Sequence, residues 1–156
     1  MESHKDTEDT LRRDSAEADR CSICLNLKKA AKATSSVLDE LLAPLGIRAS
    51  QLGVLNQVSV LGSPTITELA DAVVSDRTTL TRNLGPLERD GYVDTFAGHD
   101  RRVRMVTLTE EGRELLQRAL PLREQAEQTL IRRFGEEPWN DLLKHLDRLT
   151  AIVRKG

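Results

Sequence analysis

Apolar residues follow the helical period over most of this chain. In Cys21–Leu45, the positions Ile23, Leu27, Ala30, Val37 and Leu41 fall on one stripe, as a helix of about 3.6 residues per turn requires. A second stripe, Cys24, Ala31, Leu38 and Leu45, widens the apolar face, and Pro44 and Gly46 end the helix. Ser50–Val60 reads as a shorter helix, capped by Ser50 and buried through Leu52, Leu55 and Val58. Gly62-Ser63-Pro64 is a turn. Thr65 and Glu68 then have the capping-box spacing, so a short helix is expected over Ile66–Val73. After a break at Val74-Ser75, Ser75 is expected to cap a helix over Asp76–Asp90, with Leu80, Leu84 and Leu87 inward and Gly91 as the stop.

The period then changes. Tyr92–Phe96 and Arg102–Leu108 read as two strands joined by the polar turn Ala97-Gly98-His99-Asp100. Thr109-Glu110-Glu111 opens a long helix to about Arg133, which Pro121 is expected to bend. A last helix spans about Glu137–Arg154, with the stripe Leu142, Leu143, Leu146, Leu149 and Val153. The fold class is thus mainly α with a small β-hairpin wing: a winged helix-turn-helix with N- and C-terminal dimerisation helices. Three regions are expected: an acidic disordered tail over 1–20, a DNA-binding domain over 49–108, and a helical dimerisation region made of 21–48 and 109–156.

Composition narrows the functional classes. Of 156 residues, 38% are hydrophobic, 31% charged and only 3% aromatic, so the core must be built from aliphatic side chains, which favours helices. The outer helices have apolar faces and no sheet to cover, which points to a homodimer. No apolar run is long enough for a membrane span and the N-terminus has no signal-peptide pattern, so a cytoplasmic location without membrane attachment is expected. Neither a nucleophile–base arrangement nor a Gly-rich phosphate loop is visible, and His4, His99 and His145 lack ligand spacing, so no enzyme activity, cofactor or metal is expected.

The formal net charge of −2 argues mildly against a nucleic-acid partner and leaves a protein-interaction module as the alternative. Local charge argues the other way. On the Asp76–Asp90 helix, the polar face carries Ser75, Thr78, Thr81, Arg82 and Arg89, small groups followed by an Arg able to reach guanine in the major groove of double-stranded DNA, and Arg77 joins the candidate contacts. The hairpin adds Arg101, Arg102 and Arg104, suited to phosphates or a narrow minor groove. The plain alternative is a solvated helix face and a charged edge strand.

The segments Asp76-Arg77-Thr78-Thr79-Leu80-Thr81-Arg82-Asn83-Leu84, Leu87-Glu88-Arg89-Asp90-Gly91-Tyr92-Val93, Asp100-Arg101-Arg102 and Leu108-Thr109-Glu110-Glu111-Gly112 resemble the MarR family of bacterial regulators. The resemblance covers about Cys21–Lys155. It implies a dimer on a pseudo-palindromic operator, usually a repressor released by a small aromatic or lipophilic effector or by an oxidant. It also implies that Asp100 braces Arg102 for the minor groove.

Cys21 and Cys24 are the two cysteines, and both face the same way near a helix N-terminus, with Arg20 and Lys28 four residues either side of Cys24. They are candidate redox sensors. Cys24 resembles in position the reactive cysteine of the family's organic hydroperoxide sensors. Those sensors hold the thiolate with tyrosines, whereas Tyr92 is the sole tyrosine here. The alternative is that both cysteines pack as small apolar residues in the dimer interface.

Overall fold

A computed structural model of the chain describes residues 8, 12–15, 18–19, 22–74, 76–100 and 102–154; the side chains of Val153 and Arg154 are outside that set. The expected tail, Cys21, Ser75 and Arg101 therefore lie wholly or largely outside the described residues. The described elements are α1 (Ile23–Leu42), a 3-10 turn (Ala43–Leu45), α2 (Ala49–Leu61), α3 (Ile66–Ala72), α4 (Arg77–Arg89), β1 (Val93–Ala97), β2 (Arg104–Leu108), α5 (Glu110–Phe134) and α6 (Glu136–Arg154). The chain divides into two compact units, residues 1–37 and 38–156.

In the first unit, α1 begins where Ser22 Oγ accepts the Leu25 N–H at 3.3 Å, two residues later than the expected start at Cys21. In this unit Ile23, Leu27 and Ala30 of its apolar stripe are exposed, as is Cys24, while Val37 is half-buried. The helical period is as expected.

The second unit holds a contiguous aliphatic core. Leu42 and Ile47 contribute from the end of α1 and the loop after it, and Leu52, Val54, Leu55 and Val58 from α2. Leu69 and Ala70 come from α3, and Leu80, Leu84 and Leu87 from α4. Val93, Val106 and Leu108 close it from the hairpin, and Leu115, Leu116 and Ala119 from the first half of α5. Each fully buried Leu or Val stabilises the fold by about 1.5–3 kcal/mol of transfer free energy. The core thus draws on residues on both sides of 49–108.

Local signals set the element boundaries. The capping box forms as the spacing predicts: Thr65 Oγ1 accepts the Glu68 N–H at 3.2 Å and Glu68 Oε2 accepts the Thr65 N–H at 2.8 Å. The Thr65 N–H, and secondarily its hydroxyl, hold the Glu68 carboxyl below its ordinary pKa. Ser50 is not the cap of α2. The helix starts one residue earlier, Asp39 Oδ1 accepts the Ala49 N–H at 2.6 Å, and Gln51 Oε1 accepts the Arg48 N–H at 3.0 Å. A carboxylate from α1 and a glutamine one turn on thereby take over the cap.

The hairpin pairs antiparallel, with Val93 opposite Leu108 and Phe96 opposite Met105. Against the expected Tyr92–Phe96 and Arg102–Leu108, β1 is displaced by one residue and β2 begins two residues later. An additional short pairing lies beside β2, where Thr65 bridges Met105 and Pro64 O accepts the Val106 N–H at 2.9 Å. Pro64 fits there because only its carbonyl is needed.

The root of the hairpin is clamped to α5. Thr109 Oγ1 donates to Gly91 O at 2.6 Å and accepts the Gly112 N–H at 3.0 Å. A Cβ on Gly112 would sit 1.9 Å from the Tyr92 carbonyl oxygen, so only glycine fits this approach. Both α4 and α5 run unbroken through their prolines, Pro86 and Pro121. Gly135 separates α5 from α6, across which Phe134 and Trp139 meet edge to face with centroids 6.4 Å apart. On α6, Leu142, Leu143, Leu149 and Ile152 are exposed.

Candidate nucleic-acid interface

Two elements that follow each other in sequence, α4 and the hairpin, carry the candidate residues. The cap of α4 is Asp76 rather than Ser75, and the helix accordingly runs Arg77–Arg89 instead of Asp76–Asp90. Asp76 Oδ1 accepts the Thr79 N–H at 2.8 Å and Oδ2 accepts the Thr79 hydroxyl at 2.9 Å. A carboxylate outcompetes a hydroxyl at the positive end of a helix. The Thr79 N–H, then its hydroxyl, keep the Asp76 carboxyl below its ordinary pKa.

From that start the two faces separate. Leu80, Leu84 and Leu87 point into the core, while Arg77, Thr78, Thr81 and Arg82 are exposed and line one shallow open depression. These side chains differ in what already holds them. Arg77 Nη2 donates to Thr67 Oγ1 at 2.6 Å, tying the start of α4 to α3. Thr81 Oγ1 donates to Arg77 O at 2.8 Å, which leaves its lone pairs as acceptors. Thr78 and Arg82 have no side-chain partner among the described residues, so their full hydrogen-bonding capacity faces outward. Ser50 instead supports α4 from behind, donating from Oγ to Asn83 Oδ1 at 3.1 Å.

In the hairpin tip, Asp100 acts on the main chain. Its Oδ1 accepts the Arg102 N–H at 2.9 Å and its carbonyl accepts the Val103 N–H at 2.9 Å. This is an Asx-type turn, which fixes the backbone from which Arg102 projects. The Arg102 guanidinium itself has no partner among the described residues. Arg104 is held differently: its Nη2 donates to Thr95 Oγ1, and Thr95 Oγ1 donates to Glu88 Oε1. Arg89 pairs with Asp90 at 3.0 Å on the surface, a contact of little energetic weight.

Sequence reasoning missed three residues here: Thr67, Glu88 and Thr95. A signal existed for Thr95. It shares a face of β1 with the buried Val93 and is itself half-buried, where a polar residue needs a partner.

Elsewhere, Cys24 is exposed. The described residues contain no group of three or more His, Cys, Asp or Glu that could hold a metal ion, and no helix long and apolar enough to cross a membrane.

A capped short helix, a tight turn, a second helix with a free polar face and a clamped basic hairpin define a winged helix-turn-helix. Solved structures have the same architecture. The transcriptional regulator MosR of M. tuberculosis, in complex with DNA, is 31% identical with a TM-score of 0.76, over 86% of this chain and 97% of that one. A cysteine-to-serine variant of MarR from E. coli, complexed with operator DNA, is 26% identical with a TM-score of 0.74, over 81% of this chain and 94% of that one. Among curated proteins, the HTH-type transcriptional regulator YwoH of Bacillus subtilis is 27% identical over 123 residues, 79% of this chain and 89% of its own. No family model matches the chain. The chain belongs to the MarR family of winged-helix transcriptional regulators. The relatives it matches are transcription regulators, not enzymes.

Proposed function

We propose that the protein is a cytoplasmic repressor that binds a pseudo-palindromic operator as a homodimer and is released by a small ligand or by cysteine oxidation. The observation that carries this reading is the pairing of two free cationic groups on fixed backbone. Arg82 stands on a rigid capped helix and Arg102 on a turn braced by Asp100, and neither guanidinium has a partner among the described residues. Thr78 and Thr81 permit close approach to base edges, with Arg77 and the flanking Ser75 at phosphates and Arg101 beside Arg102 in the wing. A dimer doubles this local surface, which compensates for a net charge of −2. The exposed leucines of α6 and the exposed stripe of α1 each supply apolar area for a second copy.

A recess of about 320 Å³ supports the small-ligand route. It lies behind α4, lined among others by Val54, Val73, Thr79 and Asn83, so an aromatic or lipophilic occupant would press on the recognition helix. The oxidation route rests on Cys24 and its neighbour Cys21.

A mobility-shift assay on the promoter region of its own gene tests the reading. The duplex should shift well below the concentration needed for a random duplex, and Arg102→Ala should weaken binding by about 1–3 kcal/mol. Equal weak binding to both duplexes, unchanged by Arg102→Ala, would refute it and favour the protein-interaction module. Hydroperoxide treatment of wild type and Cys24→Ser separates the two release routes, because only oxidation distinguishes them.

A further inference from the structure

We infer that Arg104 is a strut of the wing rather than a DNA contact, and that Thr95 is the positioning residue that locks the hairpin to the recognition helix. The chain of contacts runs from Arg104 Nη2 to Thr95 Oγ1 and from Thr95 Oγ1 to Glu88 Oε1. Its polarity is unambiguous. A guanidinium only donates and a carboxylate only accepts, so the single hydroxyl must accept from Arg104 and donate to Glu88. Both ends are charged, which strengthens each bond relative to a neutral pair.

Three independent placements converge on this role. Thr95 and Arg104 lie on the face of the hairpin that carries Val93, Val106 and Leu108: Thr95, half-buried, is opposite the buried Val106, and Arg104, exposed at the outer end of that face, is opposite Ala97. Glu88 sits in the last turn of α4, where the helix dipole disfavours a carboxylate and a cationic neighbour offsets that cost. Of the other candidate arginines, Arg82 and Arg102 have no tether among the described residues, and Arg77 is held by the Thr67 hydroxyl alone. A phosphate reaching the remaining N–H groups of Arg104 would approach the Glu88 carboxylate, which is held one hydroxyl away.

The DNA arm of the test rests on the repressor reading above; the exchange arm does not. In the free protein, Thr95→Val should raise amide hydrogen exchange in Val93–Ala97 and Arg104–Leu108, and Thr95→Ser should restore wild-type protection. On the promoter duplex, Thr95→Val and Arg104→Gln should each lower affinity about tenfold, the effect of losing one or two net hydrogen bonds. Neither should change the slope of log K against log salt, whereas Arg102→Gln should reduce it by about one. A slope reduced by about one in Arg104→Gln would overturn the inference, as would wild-type exchange in Thr95→Val. Wild type that binds no duplex would sink the repressor reading, and the exchange arm would still decide the strut.

Discussion

Helices α4 and α6 are both amphipathic, and they differ in what covers the apolar face. On α4, Leu80, Leu84 and Leu87 retain 0%, 4% and 1% of their accessible surface. On α6, Leu142, Leu143 and Leu149 retain 40%, 46% and 38%. Periodicity specifies a face; it does not specify whether the same chain or another covers it. The buried face of α4 turns Arg77, Thr78, Thr81 and Arg82 outward, and the exposed leucines of α6 are the surface proposed above for a second copy.

The largest effect that would break this contrast comes from its buried side. Leu80→Ala should cost about 2–5 kcal/mol in denaturant unfolding, independent of protein concentration. Gly112→Ala should follow at about 1–3 kcal/mol, because its Cβ would meet backbone rather than a movable side chain. On α6 the expectation reverses. Leu143→Ala should change unfolding at low concentration by under about 1 kcal/mol, yet remove much of the concentration dependence of the melting temperature. Loss of stability as large as that of Leu80→Ala at every concentration would show that α6 is part of the monomer core.

Smaller effects sharpen the account of α4 itself. Asp76→Ala should lower stability by less than either core change, since it removes one helix cap. Its pH dependence has a definite sign. Both Asp76 and Glu68 have carboxyl pKa values lowered in the folded state, so their contribution is complete near neutrality. It fades as pH falls below about 4 and is gone once the folded-state carboxyls are protonated. Asp76→Ala should therefore flatten the acid limb of a stability–pH curve. Val74, a β-branched residue at φ 51°, stores strain in the turn before α4. Val74→Gly should raise stability by up to about 1 kcal/mol, the smallest of these changes.

Elements with a long period or a paired local signal were legible in the sequence. The Thr65–Glu68 capping box and the inward leucines of α4 are of this kind. Adjacent equivalents were not: Ser75 and Asp76 are both good caps, and the choice depends on which carboxylate or hydroxyl reaches Thr79. The pairing of Pro64 and Thr65 with β2 is too short to leave a period. The link from Glu88 through Thr95 to Arg104 joins three elements, and only the odd polar position in β1 hints at it. The roles of Arg82 and Arg102 on DNA are read from the resemblance and from their free geometry, and the assays above decide them.

The clamp at Gly112 has a mechanical consequence. With its root fixed by Thr109 and Gly112 and its waist by Thr95, the hairpin behaves as a short cantilever. Between Ala97 and Arg104 the tip is tied only to itself, by the Gly98 N–H to Val103 O bond at 2.8 Å and the contacts of Asp100. Lengthening the tip would therefore loosen Arg102 while leaving the rest of the hairpin still.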